Sequence, residues 1–120
     1  RGRELPPTAK GYTAMLTLLS DEKYAQAIAQ TPQGVLIGFK KLCPHCKNME
    51  KVLEKCADRL PGAVFMGLDT EENPDAYGRL GIERAPTLLI IKQGAITAKT
   101  AGLMNPKEFC AFYQQSMRTA

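Results

Sequence analysis

A chain of 120 residues that is 44% hydrophobic and 23% charged has ordinary globular composition and enough length to bury a core. No uninterrupted apolar stretch approaches the ~20 residues that cross a bilayer as a helix. The formal charge of +4 is scattered, without the aromatic-interleaved basic patch that points to nucleic acid. Membrane-spanning and nucleic-acid-binding classes are therefore set aside.

Residues 1–11 contain Pro6-Pro7 and no periodicity, which predicts a disordered arm ahead of a single domain over 12–120. Ala14 to Leu19 is apolar enough for a first strand. Ser20-Asp21-Glu22 has the form of a helix start, with Ser20 as N-cap and acids in the first turn. Tyr24, Ala27 and Ile28 give that helix its buried face, and Thr31-Pro32-Gln33-Gly34 ends it. Val35-Leu36-Ile37-Gly38-Phe39 reads as a buried strand. From Pro44 a helical pattern follows, with Met49, Val52, Leu53, Cys56 and Leu60 on one stripe, stopping at Pro61-Gly62.

Ala63 to Leu68 is another strand, so strand, helix and strand form a βαβ unit. Asn73-Pro74 caps and starts a short helix closed by Gly81. Thr87 to Lys92, Gln93-Gly94 and Ala95 to Thr100 make an antiparallel hairpin. Asn105-Pro106-Lys107-Glu108 has the form of a capping box before a last helix that buries Phe109, Phe112, Tyr113 and Met117. The order β-α-β-α-β-α-β-β-α predicts an α/β fold, a mixed central β-sheet flanked by helices.

Chemistry concentrates at Cys43-Pro44-His45-Cys46, on the strand-to-helix junction. A thiolate at a helix start faces unpaired backbone N–H groups and the positive end of the helix dipole, both of which lower its pKa. Two cysteines at this spacing are placed for disulfide exchange. Lys40, Lys41, Lys47, Lys51 and Lys55 gather around the motif as a solvated face. Only this pair has motif spacing among the four cysteines, a pattern that suits an intracellular redox or metal protein better than a stapled secreted domain. Cys56 and Cys110 read as small buried core residues.

The layout resembles the thioredoxin fold over residues 12–118. The resemblance rests on Cys43-x-x-Cys46 after the second strand, Asp69 with Asn73-Pro74, Tyr77-Gly78, Ala85-Pro86-Thr87 entering the hairpin, Gly94 and Gly102. It implies that Pro86 is cis and packs beside the cysteines, with Ala85, Pro86 and Thr87 forming a substrate-binding edge. It also implies protein disulfide or dithiol substrates, a thioredoxin reductase as partner, a monomer, and no cofactor beyond the Cys43–Cys46 disulfide.

Departures from the family are specific. Leu42 stands where an aromatic residue precedes the first cysteine, and the connection from Phe39 to Cys43 looks one residue short. A buried acid of typical thioredoxins aligns with Gly38, the lysine often facing it aligns near Phe65, and Lys51 stands near the usual mid-helix proline. The dipeptide Pro44-His45 is similar to that of the bacterial periplasmic disulfide-forming oxidase, whose helical insertion this chain has no room for.

In this reading Cys43 attacks and Cys46 resolves. Pro44 and His45 tune the pair, and His45 stabilises the thiolate, making the disulfide more oxidising than in typical thioredoxins. Restoring an acid by Gly38→Asp is expected to change the pH dependence of turnover. The sequence predicts a thioredoxin-type disulfide reductase in the cytoplasm, since residues 1–10 lack the apolar middle of a signal peptide. The alternatives are an oxidase or isomerase in an exported compartment, a metal-binding module using Cys43 and Cys46, and a binding or chaperone-like module whose cysteines are incidental. Zinc needs about four ligands, and the motif supplies two.

Overall fold

The structure, a computed structural model, describes residues 16–118. The predicted arm at 1–11 and the start of the first strand lie outside them. The elements are β1 (Thr17–Leu19), α1 (Tyr24–Ala29), β2 (Gln33–Phe39), α2 (Pro44–Ala57), β3 (Val64–Asp69), α3 (Pro74–Arg79), β4 (Thr87–Lys92), β5 (Ala95–Ala101) and α4 (Pro106–Arg118). The order is the one predicted, and the sheet runs β1-β3-β2-β4-β5. β1 and β2 pair with β3 in parallel, whereas β2–β4 and β4–β5 are antiparallel. This is the thioredoxin fold, a mixed sheet flanked by helices.

Strand β2 is central and apolar from Gly34 to Phe39 because both of its faces are covered. Val35, Ile37 and Phe39 pack with α2 and α4 residues such as Met49, Leu53 and Phe109. Leu36 packs on the other side with Tyr24, Ile28 and Ala76 of α1 and α3. Between β4 and β5, Gln93 and Gly94 have φ of 52° and 80°, the two positive values that a type I′ hairpin turn requires. Among the described residues no helix is long and apolar enough to cross a membrane.

Three local expectations are corrected. Helix α1 starts at Tyr24, not after Ser20, and its N-cap Lys23 makes no side-chain cap. Ser20 contributes its carbonyl, which accepts from Lys23 and Tyr24 N–H at 3.0 and 2.9 Å. The reason is that Asp21 is engaged elsewhere. Its carboxylate accepts the N–H groups of Asp75 and Ala76 at 3.3 and 2.7 Å, and its own N–H donates to Asn73 Oδ1 at 2.9 Å. It therefore caps α3, which Asn73 does not cap with its side chain.

Helix α2 ends at Ala57 rather than at Pro61. The chain then tightens into short turns, with Arg59 N–H on Cys56 O and Leu60 N–H on Ala57 O. Leu60 is buried all the same, which is why its spacing looked helical. The capping box of α4 forms as expected: Glu108 N–H donates to Asn105 Oδ1 at 2.8 Å and Asn105 N–H to Glu108 Oε1 at 3.0 Å.

Candidate redox site

Residue Phe39 ends β2, and Lys40 to Leu42 carry the chain outward to Cys43. Lys41 in this loop meets Glu72 at 2.7 Å and Asp69 at 3.9 Å, tethering it to the loop after β3. These groups are exposed on the Lys41 and Glu72 side, so the tether contributes no more than ~1 kcal/mol. Leu42, in place of an aromatic residue, is 96% exposed.

Cys43 is the N-cap of α2, with extended backbone (φ −142°, ψ 102°) and Pro44 occupying the first turn. Proline fits there because that N–H has no intrahelical partner. Cys43 Sγ accepts the Cys46 N–H at 3.2 Å. The sulfur thus takes the place of the oxygen of a Ser or Asp cap, close to the positive end of the helix. Cys43 and Cys46 are joined as a disulfide across a Cα–Cα distance of 5.3 Å. Their exposures differ. Cys43 is half-buried, while Cys46, turned inward on α2, retains 1% of its surface.

The second wall of the site comes from the strand antiparallel to β2. Gly38 pairs with Thr87, so the segment leading into β4 lies beside the end of β2 from which Cys43 hangs. The Ala85–Pro86 peptide is cis. Thr87 Oγ1 donates to Arg84 O, and Gly102 N–H donates to Pro86 O at 3.0 Å. Gly102 has φ of 100°, a conformation that favours glycine. His45, Arg84, Ala85, Pro86, Gly102 and Leu103 line one groove of about 210 Å³. His45, Ala85 and Pro86 are therefore brought together. Thr87 is buried at the base and holds the turn rather than lining the groove. Arg84 and Leu103 were not singled out from sequence. Their only signal was adjacency to Ala85-Pro86 and to Gly102.

Gly38 does not occupy the place the alignment gave it. A Cβ there would meet Ile82 Cδ1 at 3.0 Å and Thr70 Cγ2 at 3.3 Å, on the face away from Cys46. Ile37 shares the cluster of Cys46, and Phe65 pairs beside Val35 on that same face. A carboxylate beneath Cys46 would have to come from the α2-facing positions near the end of β2, 37 or 39. Alternation along β2 decides this, since neighbouring residues point to opposite faces. One turn beyond Cys46, Glu50 is buried on α2. Burial pushes its carboxyl pKa up, Lys47 opposes the shift and Glu54 adds to it.

A family model described as Thioredoxin matches residues 15–115. The chain belongs to the thioredoxin family. It is 33% identical over 94 residues to a thioredoxin of Chlorobaculum thiosulfatiphilum, covering 77% of this chain and 86% of that one. It is also similar to the solution structure of desulfothioredoxin from Desulfovibrio vulgaris Hildenborough in its reduced form. That match has a TM-score of 0.75 and 36% identity, over 83% of this chain and 96% of the other. Mitochondrial thioredoxin 3 of Saccharomyces cerevisiae superposes with a TM-score of 0.75 at 25% identity, over 83% and 94% of the two chains. As a thioredoxin-family protein the chain is a thiol-disulfide oxidoreductase, in a family that works through a redox-active disulfide.

Proposed function

We propose that this protein is an atypical thioredoxin in which Cys43 is the attacking thiol, Cys46 the resolving thiol, and the groove beside Ala85 and Pro86 the substrate seat. One observation carries the assignment: of the two cysteines Cys43 is half-buried at the helix start, whereas Cys46 is buried. In the reduced protein the Cys43 thiolate attacks one sulfur of a substrate disulfide. A mixed disulfide forms, and the other substrate sulfur leaves as a thiolate that takes up a proton. Cys46 then loses its proton and attacks Cys43. The Cys43–Cys46 bond closes, and the second substrate thiolate departs and is protonated. Two electrons have passed to the substrate, and a reductase of the thioredoxin reductase class returns them.

Helix position supports a Cys43 thiolate through the Cys46 N–H and the dipole. His45 is exposed on the rim of the groove, where its ring can face the leaving sulfur and the substrate chain. Stabilising the thiolate stabilises the dithiol, so the pair is more oxidising than the about −270 mV of thioredoxin, though short of the about −120 mV of the strong oxidase. Half-buried Ala85 offers a backbone edge for an extended substrate segment, and exposed Leu42 and Leu103 supply apolar contact around it.

The physiological direction is reduction of cytoplasmic protein disulfides by a monomer without cofactor. Pro44-His45 favours a second reading, oxidation in an exported compartment, and the reduction potential decides between them. A zinc module would need ligands from outside the pair, and among the described residues no three His, Cys, Asp or Glu gather around one point. The direct test is a substrate-disulfide assay. Cys43→Ser abolishes exchange, and Cys46→Ala accumulates a mixed disulfide. Exchange that survives Cys43→Ser overturns the assignment.

A further inference from the structure

The two cysteines outside the motif meet. Cys56 lies near the end of α2 and Cys110 in α4, and their sulfurs are 3.0 Å apart in the core between these helices. The Cys110 S–H donates to Cys56 Sγ, and the Cys56 S–H in turn donates to Pro106 O at 3.3 Å. Both belong to the buried cluster that includes Leu53, Leu60, Phe109 and Tyr113, and the Arg59 charge is near enough to Cys56 to favour its thiolate. A packing role alone would be met by two apolar side chains. What the thiols add is contact at a distance within ~1 Å of a covalent S–S bond, reachable by small side-chain rotations.

We propose that Cys56 and Cys110 form a second redox site, oxidised by hydroperoxides to a buried disulfide that staples α2 to α4. Cys110 reacts first, because it retains 9% exposure while Cys56 has none. Its thiolate attacks the terminal oxygen of hydrogen peroxide. The O–O bond breaks, hydroxide leaves and takes up the thiol proton as water, and Cys110 becomes a sulfenic acid. The Cys56 sulfur then attacks the Cys110 sulfur. The S–S bond forms, the S–O bond breaks, and the hydroxyl leaves as water with the Cys56 proton. In sum, two thiols and one peroxide give one disulfide and two waters.

Burial and the Cys110 contact push the Cys56 thiol up to about 12. It therefore stays protonated at neutral pH and does not exchange with Cys43–Cys46 during ordinary turnover. The site is then a slow register of peroxide, separate from the fast pair at the other end of the same helix. Closing a long loop restricts the unfolded chain, so the stapled form unfolds at a temperature about 10 °C or more above the form oxidised only at Cys43–Cys46.

The test exposes the full chain to hydrogen peroxide, then alkylates, digests without reduction and maps peptides by mass. The expected product joins the Cys56 and Cys110 peptides, lighter than their sum by two hydrogens, together with the rise in unfolding temperature. In Cys56→Ala the rise is lost and Cys110 is labelled by a sulfenic-acid trap. Cys110→Ser is the second variant, in which Cys56 remains an alkylatable thiol. Wild-type protein in which both cysteines stay alkylatable after denaturation, or in which Cys110 is trapped as sulfenic acid without the joined peptide, overturns the proposal.

Discussion

Removing the Asp21 carboxylate tests a contact between segments far apart in sequence. Its two oxygens accept the Asp75 and Ala76 N–H groups at 3.3 and 2.7 Å, leaving α3 capped from outside its own segment. Loss of such a cap costs ~1 kcal/mol, and loss of negative charge at the helix start ~0.5 kcal/mol more. Asp21 is half-exposed, so water recovers part of this, and Asp21→Ala should lose about 1 kcal/mol. For a domain of this size that lowers the midpoint of thermal unfolding by about 4–8 °C. Asp21→Asn keeps an acceptor and should fall by less. The Asp21 N–H to Asn73 Oδ1 bond survives both changes, because its donor is backbone. The assay is thermal unfolding of the oxidised protein at neutral pH, with disulfide exchange measured in parallel and expected to be unchanged. A fall in midpoint of under about 2 °C for Asp21→Ala would refute the assignment of the cap.

Placing a carboxylate at Gly38 buries it beside Ile82 and Thr70, which costs several kcal/mol in denaturant unfolding. It should leave the shape of the pH–rate profile as it was, whereas Ile37→Asp, on the face of Cys46, should move it. A profile moved by Gly38→Asp sinks the facing argument. Asn105→Ala removes the acceptor of the Glu108 N–H, leaving the backbone Asn105 N–H on Glu108, and should cost ~1 kcal/mol in urea unfolding, with Glu108→Gln much milder. The Cys56 thiol is raised from 9.0 to about 12 by burial and by Cys110. The folded state thus holds a proton that the unfolded chain releases, and the associated stability is intact below pH 9 and falls as pH climbs toward 12. Unfolding of the reduced protein between pH 8 and about 10.5 should show this slope, and Cys56→Ala should flatten it. Parallel slopes in the two proteins would count against it.

Much of the architecture was legible because its signals are local. Buried strands, the Gln93-Gly94 turn and the Asn105–Glu108 box each depend on a few adjacent residues, and all formed. Cys43-x-x-Cys46 with Ala85-Pro86 located the groove, and their pairing through Gly38 and Thr87 brings them side by side. What was misplaced depends on distant partners or on alternation. Asp21 has the local form of a first-turn acid, but its bonds go to α3. Gly38 was matched to the acid at the end of the central strand, with the connection from Phe39 to Cys43 taken as one residue short, and one residue of slip reverses the face of a strand. Leu60 continued a helical spacing that the backbone completed as turns. The Cys56–Cys110 contact joins helices through residues 54 apart in sequence, and no spacing rule announces it.

The site hangs from two neighbouring strands that are the most deeply buried of the sheet, Cys43 beyond the end of β2 and Pro86 immediately before β4. The residues that differ most from typical thioredoxins, Leu42, Pro44 and His45, are all exposed at the surface between those anchors. Exchange of these positions therefore changes neither strand pairing nor core volume. The tip behaves as a replaceable cassette, in which driving force and substrate preference can be rewritten while the frame that aligns sulfur and substrate keeps its shape. Libraries confined to Leu42, Pro44 and His45 should accordingly yield folded proteins spread widely in potential.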